Sequence, residues 1–310
     1  MRSVLAFSVL AAMTLSARAE DVTAPAPPGE LHATLLKAGN RAPALLIIAG
    51  SGPTDRDGNS ELGVHSDMYK LLAEGLAAKG VSSLRYDKRG VGESRAAMIK
   101  QSDLRLQTYA DDAAAMAQEL RKQVASRCVW VLGHSEGALL AELMAQKPDG
   151  ICGLVLVSGS GRRIADVMRE QLSVMPEPAR SRALTAIAEL EAGRLVPNPP
   201  AQPLGLFYTE IQPYLISWMA ADPAQLLSRI NRPVLVLQGD TDIQVSVADA
   251  KALAAAKPDA KLAVLAGVNH ILKIAPADRN ANMATYADPS LKLAPGVVDT
   301  IAAFVQEHGK

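Results

Sequence analysis

Short apolar runs punctuate the chain at Ala44–Ala49, Val81–Arg85, Cys128–Leu132, Leu154–Val157, Val234–Leu237 and Leu262–Leu265. They are continuous rather than alternating, which is the pattern of strands buried on both faces of a parallel sheet. Between them, apolar residues recur at helical spacing over Met68–Lys79, Thr108–Val124, Gly137–Gln146, Val247–Lys257 and Gly296–Glu307. Strand alternating with helix predicts an α/β fold, a mostly parallel central sheet with helices on both faces. His32–Lys37 adds an antiparallel edge strand near the start.

The rhythm breaks between residues 161 and 232, where no convincing strand occurs. Helical patterns over Arg163–Leu172, Ala179–Ala192 and Tyr208–Met219 flank a Pro197-Asn198-Pro199-Pro200 turn. A stretch of about seventy residues without structure of its own would be unusual in a compact domain. The expectation is therefore a helical lid inserted into the sheet domain. The division is a leader (1–19), a first part of the core (20–160), the lid (161–232) and a second part of the core (233–310).

The leader is an address. Arg2 precedes an apolar run from Val4 to Leu15, followed by Ala17-Arg18-Ala19, the layout of a secretory signal peptide cut after Ala19. The run is too short to span a bilayer, and no apolar stretch elsewhere is long enough, so no stable membrane anchor is expected. A periplasmic or secreted protein is the expectation, and in that compartment Cys128 and Cys152 can pair if geometry allows. The 32 basic and 32 acidic side chains argue against a nucleic-acid partner. Loss of residues 1–19 removes Arg2 and Arg18 and no acid, leaving 30 basic groups against 32 acidic.

The strongest chemical signal is Gly133-His134-Ser135-Glu136-Gly137, which joins an apolar strand directly to a helix. A sharp strand-to-helix turn projects a serine hydroxyl, and flanking glycines remove side chains that would collide with the neighbouring strand and helix. Serine needs a base. In this architecture the partners follow the nucleophile in the order acid, then histidine. Of His32, His65, His134, His270 and His308, the first two precede Ser135 and His134 adjoins it. His308 lies at the chain end, which leaves His270, just past the last strand. For the acid, Gln238-Gly239-Asp240-Thr241-Asp242 offers two candidates. Asp242 is favoured, and Asp240 is read as a brace of the turn.

Acyl transfer also needs donors for a developing oxyanion. One is the backbone N–H of Glu136. The other comes from the Gly50-Ser51-Gly52-Pro53 loop, Ser51 being preferred and Gly52 the alternative. Asp55, Arg56 and Asp57 read as a salt-bridged brace of that loop. Phe207, Tyr208, Tyr214, Trp218 and Met219 either line a substrate pocket or form the lid's own small core. No cofactor is called for, and no metal-ligand spacing such as His-Glu-x-x-His occurs.

Taken together, Gly133–Gly137, Gly50–Pro53, Tyr86-Asp87-Lys88-Arg89-Gly90-Val91-Gly92-Glu93-Ser94, Gly239–Asp242 and Asn269-His270 resemble the α/β-hydrolase superfamily. The nearest branch is that of secreted bacterial carboxylesterases and serine-aminopeptidase-like hydrolases. The resemblance covers nearly the whole chain after the leader, the lid excepted. It implies an α/β-hydrolase fold with Ser135 as nucleophile, Asp242 as acid and His270 as base. Many relatives carry His-Gly before the oxyanion residue, whereas this chain has Ala49-Gly50 and keeps only the backbone donor.

The reaction expected is hydrolysis of small, uncharged, short-chain carboxylic esters, with water as the second substrate and an acyl-enzyme between. Amidase, aminopeptidase or thioesterase chemistry can use the same residues. A non-catalytic binding protein on this scaffold would be expected to lack one of them.

Overall fold

The computed structural model describes residues 18–203 and 205–309. The leader expected over residues 1–19 therefore lies almost wholly outside the described residues. In chain order the elements are β1 (Arg18–Ala26), β2 (Gly29–Lys37), β3 (Ala44–Ile48), β4 (Asn59–Ser60), β5 (Val64–His65), α1 (Met68–Ala78), β6 (Ser82–Tyr86) and α2 (Leu106–Gln123). Then come β7 (Val129–His134), α3 (Glu136–Met144), β8 (Ile151–Val157), α4 (Ile164–Leu172), α5 (Ala179–Glu191), α6 (Gln212–Met219) and α7 (Pro223–Ser228). The chain ends with β9 (Val234–Gly239), α8 (Val247–Ala256), β10 (Lys261–Leu265), α9 (Arg279–Ala284) and α10 (Val297–His308).

The main sheet has the order β1-β2-β6-β3-β7-β8-β9-β10. β2 runs antiparallel to both neighbours, and every pairing from β6 to β10 is parallel. The buried strands match the apolar runs because burial on both faces leaves no room for alternation; β3, β7 and β9 are buried at every position. One apolar layer contains Leu46, Val131, Leu156 and Val236 with α2 and α3, and extends into the helices between β8 and β9. The other contains Leu45, Leu132, Val155 and Leu235 with α1 and α10.

Two readings of the sequence need correcting. The edge strand expected at His32–Lys37 lies one place in from the edge, because β1 pairs outside it from Arg18↔Lys37 to Ala26↔Gly29. β1 hides in a Pro-rich segment whose inward positions, Val22, Ala24 and Ala26, are small, while Pro25 faces outward where an edge strand tolerates it. Short helices α7 and α9 were also not read. Each begins at an aspartate that accepts an N–H three residues later, Asp222 from Gln225 and Asp278 from Ala281, but each is too brief for a periodic pattern.

Among the described residues no helix is long and apolar enough to cross a membrane. Cys128 and Cys152 form a disulfide, their Cα atoms 5.2 Å apart, joining the starts of β7 and β8. The link closes a loop of 24 residues. Replacing both cysteines by serine is expected to cost about 3 kcal/mol, measured as a lower urea midpoint at little-changed slope.

Candidate active site

The strand-to-helix turn after β7 fixes Ser135, the candidate nucleophile. Ser135 sits at φ 56° and ψ −120°, a conformation that L-residues rarely adopt. The flanking glycines explain how the turn closes: a Cβ on Gly133 would fall 2.0 Å from the Gly137 carbonyl oxygen, and one on Gly137 would fall 2.4 Å from that of Ile48. Three consecutive side chains leave this turn in three directions. Ser135 faces the cavities, His134 turns inward toward Tyr69 and the His270 carbonyl, and Glu136 turns toward Lys88.

Asp242 and His270 meet across the ends of β9 and β10, with Asp242 Oδ2 2.8 Å from His270 Nδ1. The carboxylate also accepts from the backbone of Gln244 and Val245 and from Gln238 Nε2. Burial pushes its pKa up, but the His270 charge and these hydrogen bonds outweigh burial and hold it at about 2. An ionised acceptor at Nδ1 puts the proton there and leaves Nε2 free as a base. Asp240 plays a different part: its Oδ1 accepts the N–H of Gly267 at 2.7 Å, bracing the turn that precedes His270. Ser135 and His270 line one small cavity together. No hydrogen bond joins them here, and such contacts commonly tighten only with substrate bound.

The amides expected to serve an oxyanion, Ser51 N–H and Glu136 N–H, border the same space as Ser135. Neither has a hydrogen-bond partner among the described residues. The peptide that carries the Ser51 N–H is held from its other side. Lys88, almost wholly buried, donates its Nζ to the Gly50 carbonyl, and a trans peptide then directs the Ser51 N–H the opposite way. The same Nζ lies 3.5 Å from Glu136 Oε1 and 5.5 Å from the centre of the Tyr109 ring. Farther along this loop, Asp55 accepts the backbone N–H groups of Asp57, Gly58 and Asn59, while Arg56 and Asp57 pair with Asp87 and Arg85.

His134 proves to be part of the site's support, which its position beside the nucleophile gave no sign of. Its Nε2 lies 2.8 Å from the His270 carbonyl oxygen, so that nitrogen carries the proton. Its Nδ1 then accepts from the Tyr69 hydroxyl at 2.9 Å, and the Tyr69 oxygen accepts the Gly50 N–H at 2.9 Å. One buried chain of hydrogen bonds thus runs from the Gly50–Ser51 loop to His270. Burial, reinforced by the neighbouring His270, lowers the His134 pKa to about 3, so the ring is neutral. From α9, Asn282 donates to the Thr241 carbonyl, and its side-chain oxygen accepts from Asn269, tying the Asp242 loop to the His270 loop.

Of the lid residues, Tyr208, Tyr214 and Trp218 line the large cavity beside Ser135. Phe207 and Met219 do not; of the two readings open for these residues, theirs is that of a small core. Both are 1% exposed and pack among the helices between β8 and β9, Phe207 with its carbonyl held by Gln212. Among the described residues no group of three His, Cys, Asp or Glu side chains is placed to hold a metal.

Comparison with known proteins fits this geometry. The family model for serine aminopeptidase, S33, matches residues 61–192, a span that holds Ser135 but ends before Asp242 and His270. Esterase EstD of Thermotoga maritima is 27% identical over 268 residues, covering 82% of this chain. The chain spans 60% of that relative's length. Among solved structures, Est1E from Butyrivibrio proteoclasticus superposes with a TM-score of 0.58 at 19% identity, covering 93% of this chain and 98% of its own. A thermophilic esterase from Thermogutta terrifontis gives 0.57 at 19% identity, covering 95% and 100%. The fold is that of the α/β hydrolases. In sequence the chain is similar to esterase EstD and, over residues 61–192, to the serine aminopeptidase family.

Two outcomes test the support network. His134 is neutral in the fold and titrates near its ordinary 6.5 when unfolded, so stability falls as pH drops below 6.5 toward 3. The slope from this one group is about 1.4 kcal/mol per pH unit, or about 2 kcal/mol between pH 6.5 and 5. Urea unfolding at those two pH values should show this loss, and His134→Gln should remove it. Tyr69→Phe leaves the Gly50 N–H and His134 Nδ1 buried without partners and is expected to cost about 1–3 kcal/mol in the same assay.

Proposed function

We propose that the protein is a carboxylic-ester hydrolase in which Ser135, His270 and Asp242 act as nucleophile, base and acid. The observation that carries this reading is the convergence of the three. The strained serine and the imidazole share a cavity, and a buried carboxylate held ionised fixes the tautomer that leaves Nε2 open. His270 Nε2 takes the Ser135 proton as Oγ attacks the carbonyl carbon. The Ser51 and Glu136 amides stabilise the resulting oxyanion. The tetrahedral intermediate collapses as the imidazolium protonates the departing alkoxide, leaving an acyl-enzyme. Water activated by His270 then releases the acid and restores the serine.

Similarity to proteins named as esterases supports an ester rather than an amide substrate. A periplasmic or secreted location is part of the proposal. The Cys128–Cys152 disulfide and the leader-like sequence of residues 1–19 both support it.

Ser135→Ala is expected to abolish turnover of p-nitrophenyl acetate while leaving the unfolding curve close to that of the parent. Asp242→Asn should lower kcat by roughly three to four orders of magnitude, because it alters the imidazole tautomer. Asp240→Asn, which touches only the Gly267 turn, should cost far less. Equal losses in the two variants would reject Asp242 as the acid, and faster cleavage of aminoacyl amides than esters would replace the esterase reading.

A further inference from the structure

The space around Ser135 is divided into two unequal chambers. The larger, of about 680 Å³, lies under the lid and is walled by apolar side chains that include Leu139, Val167, Met168, Leu172, Leu215 and Trp218. The smaller, of about 130 Å³, is bordered by Thr54, Met68, Tyr69, His270 and Tyr286. Ser135, Ser51 and Gln244 border both, and His270 borders only the smaller.

That placement sorts the two halves of an ester. When the tetrahedral intermediate collapses, the carbon–oxygen bond to the alcohol breaks, and the alkoxide takes the proton that His270 received from Ser135. The alcohol oxygen must therefore face His270, on the side of the small chamber. The acyl substituent then points away from the imidazole, into the large one. We infer that the enzyme is built for esters of a bulky, uncharged apolar acid with a small alcohol. This inference rests on the hydrolase reading above.

The dimensions agree. A space of 130 Å³ corresponds to about four water molecules at roughly 30 Å³ each. A space of 680 Å³ falls within the roughly 300–1,000 Å³ range of pockets that enclose a drug-sized ligand. The short acyl group expected from the sequence would leave most of the large chamber without contacts.

Charge points the same way. Glu136 is matched by Lys88 behind it. Arg162, which also borders the large chamber, is matched by Asp249, whose side chain is fully buried, and by Glu170. Neither offers a free charge to a charged acid. At the rim, Leu62 and Tyr208 are 78% and 52% exposed and give an apolar approach.

The test uses two isomeric esters, methyl octanoate and heptyl acetate, which share composition and overall apolarity and differ only in which side of the ester carries the chain. With the wild-type protein and substrates held below micellar concentration, pH-stat titration gives kcat/KM for each. Methyl octanoate is expected to be favoured at least tenfold, since each methylene seated in an apolar pocket raises kcat/KM severalfold. Equal rates, or a preference for heptyl acetate, would overturn the inference. Loss of both substrates with p-nitrophenyl acetate still cleaved would overturn it too while sparing the hydrolase reading. Loss of all three would remove both. As a second measurement, Met168→Trp fills part of the large chamber and should lower the ratio of p-nitrophenyl octanoate to acetate turnover by about tenfold. An unchanged ratio in the folded variant would place the acyl chain elsewhere.

Discussion

The positive φ of Ser135 is the constraint on which the site depends. An unstrained turn would let the strand run on or the helix start later, and His134, Ser135 and Glu136 could not diverge into three environments within three residues. The strain is of order 1–3 kcal/mol, and it persists because the backbone of β7, α3 and the end of β3 close over two positions without side chains. From that one turn Ser135 faces the cavities, a neutral imidazole joins the His270 loop, and a carboxylate reaches the cation that holds the Gly50–Ser51 peptide.

The supports on either side of the nucleophile solve different electrostatic problems. Lys88 and Glu136 are both almost fully buried, and such a pair is a weak source of stability because desolvation offsets most of the attraction. Its value lies in geometry: the ammonium also reaches a carbonyl, a ring face and the residue next to the nucleophile, so it fixes where the Gly50–Ser51 peptide points. The His134 chain avoids charge altogether. It crosses the interior as a neutral relay in which every donor meets an acceptor, so no ion has to be desolvated there.

Much of this was legible in the residue pattern. Strands buried on both faces declare themselves as unbroken apolar runs, and the Gly-x-Ser-x-Gly turn, the Asp242 loop and His270 fall in order along them. The helices between β8 and β9 are visible in their apolar periodicity, but the split of their aromatic residues is not. Phe207 and Tyr208 are adjacent, yet one is interior and the other on the rim, and no local pattern separates them. β1 escaped notice because alanine and proline carry little hydrophobic signal. Tyr69, Lys88, His134 and Asn282 act through partners far away in sequence, such as the 136 residues between His134 and His270. Chemistry of that range appears only once the sheet order is known.

The first hairpin is attached unequally at its two ends. Near the turn, the buried Arg89 guanidinium donates to the carbonyls of Ala26, Pro27 and Ala97 and is clamped by both oxygens of Asp112. At the other end, Arg18 and Ala19 add ladder pairs with Lys37 and Leu36. Proteolytic trimming therefore has a sharp limit. A cut after Ala19 leaves the register from Glu20↔Leu35 to Ala26↔Gly29 whole, whereas a cut past Pro27 would strand a buried guanidinium without two of its acceptors.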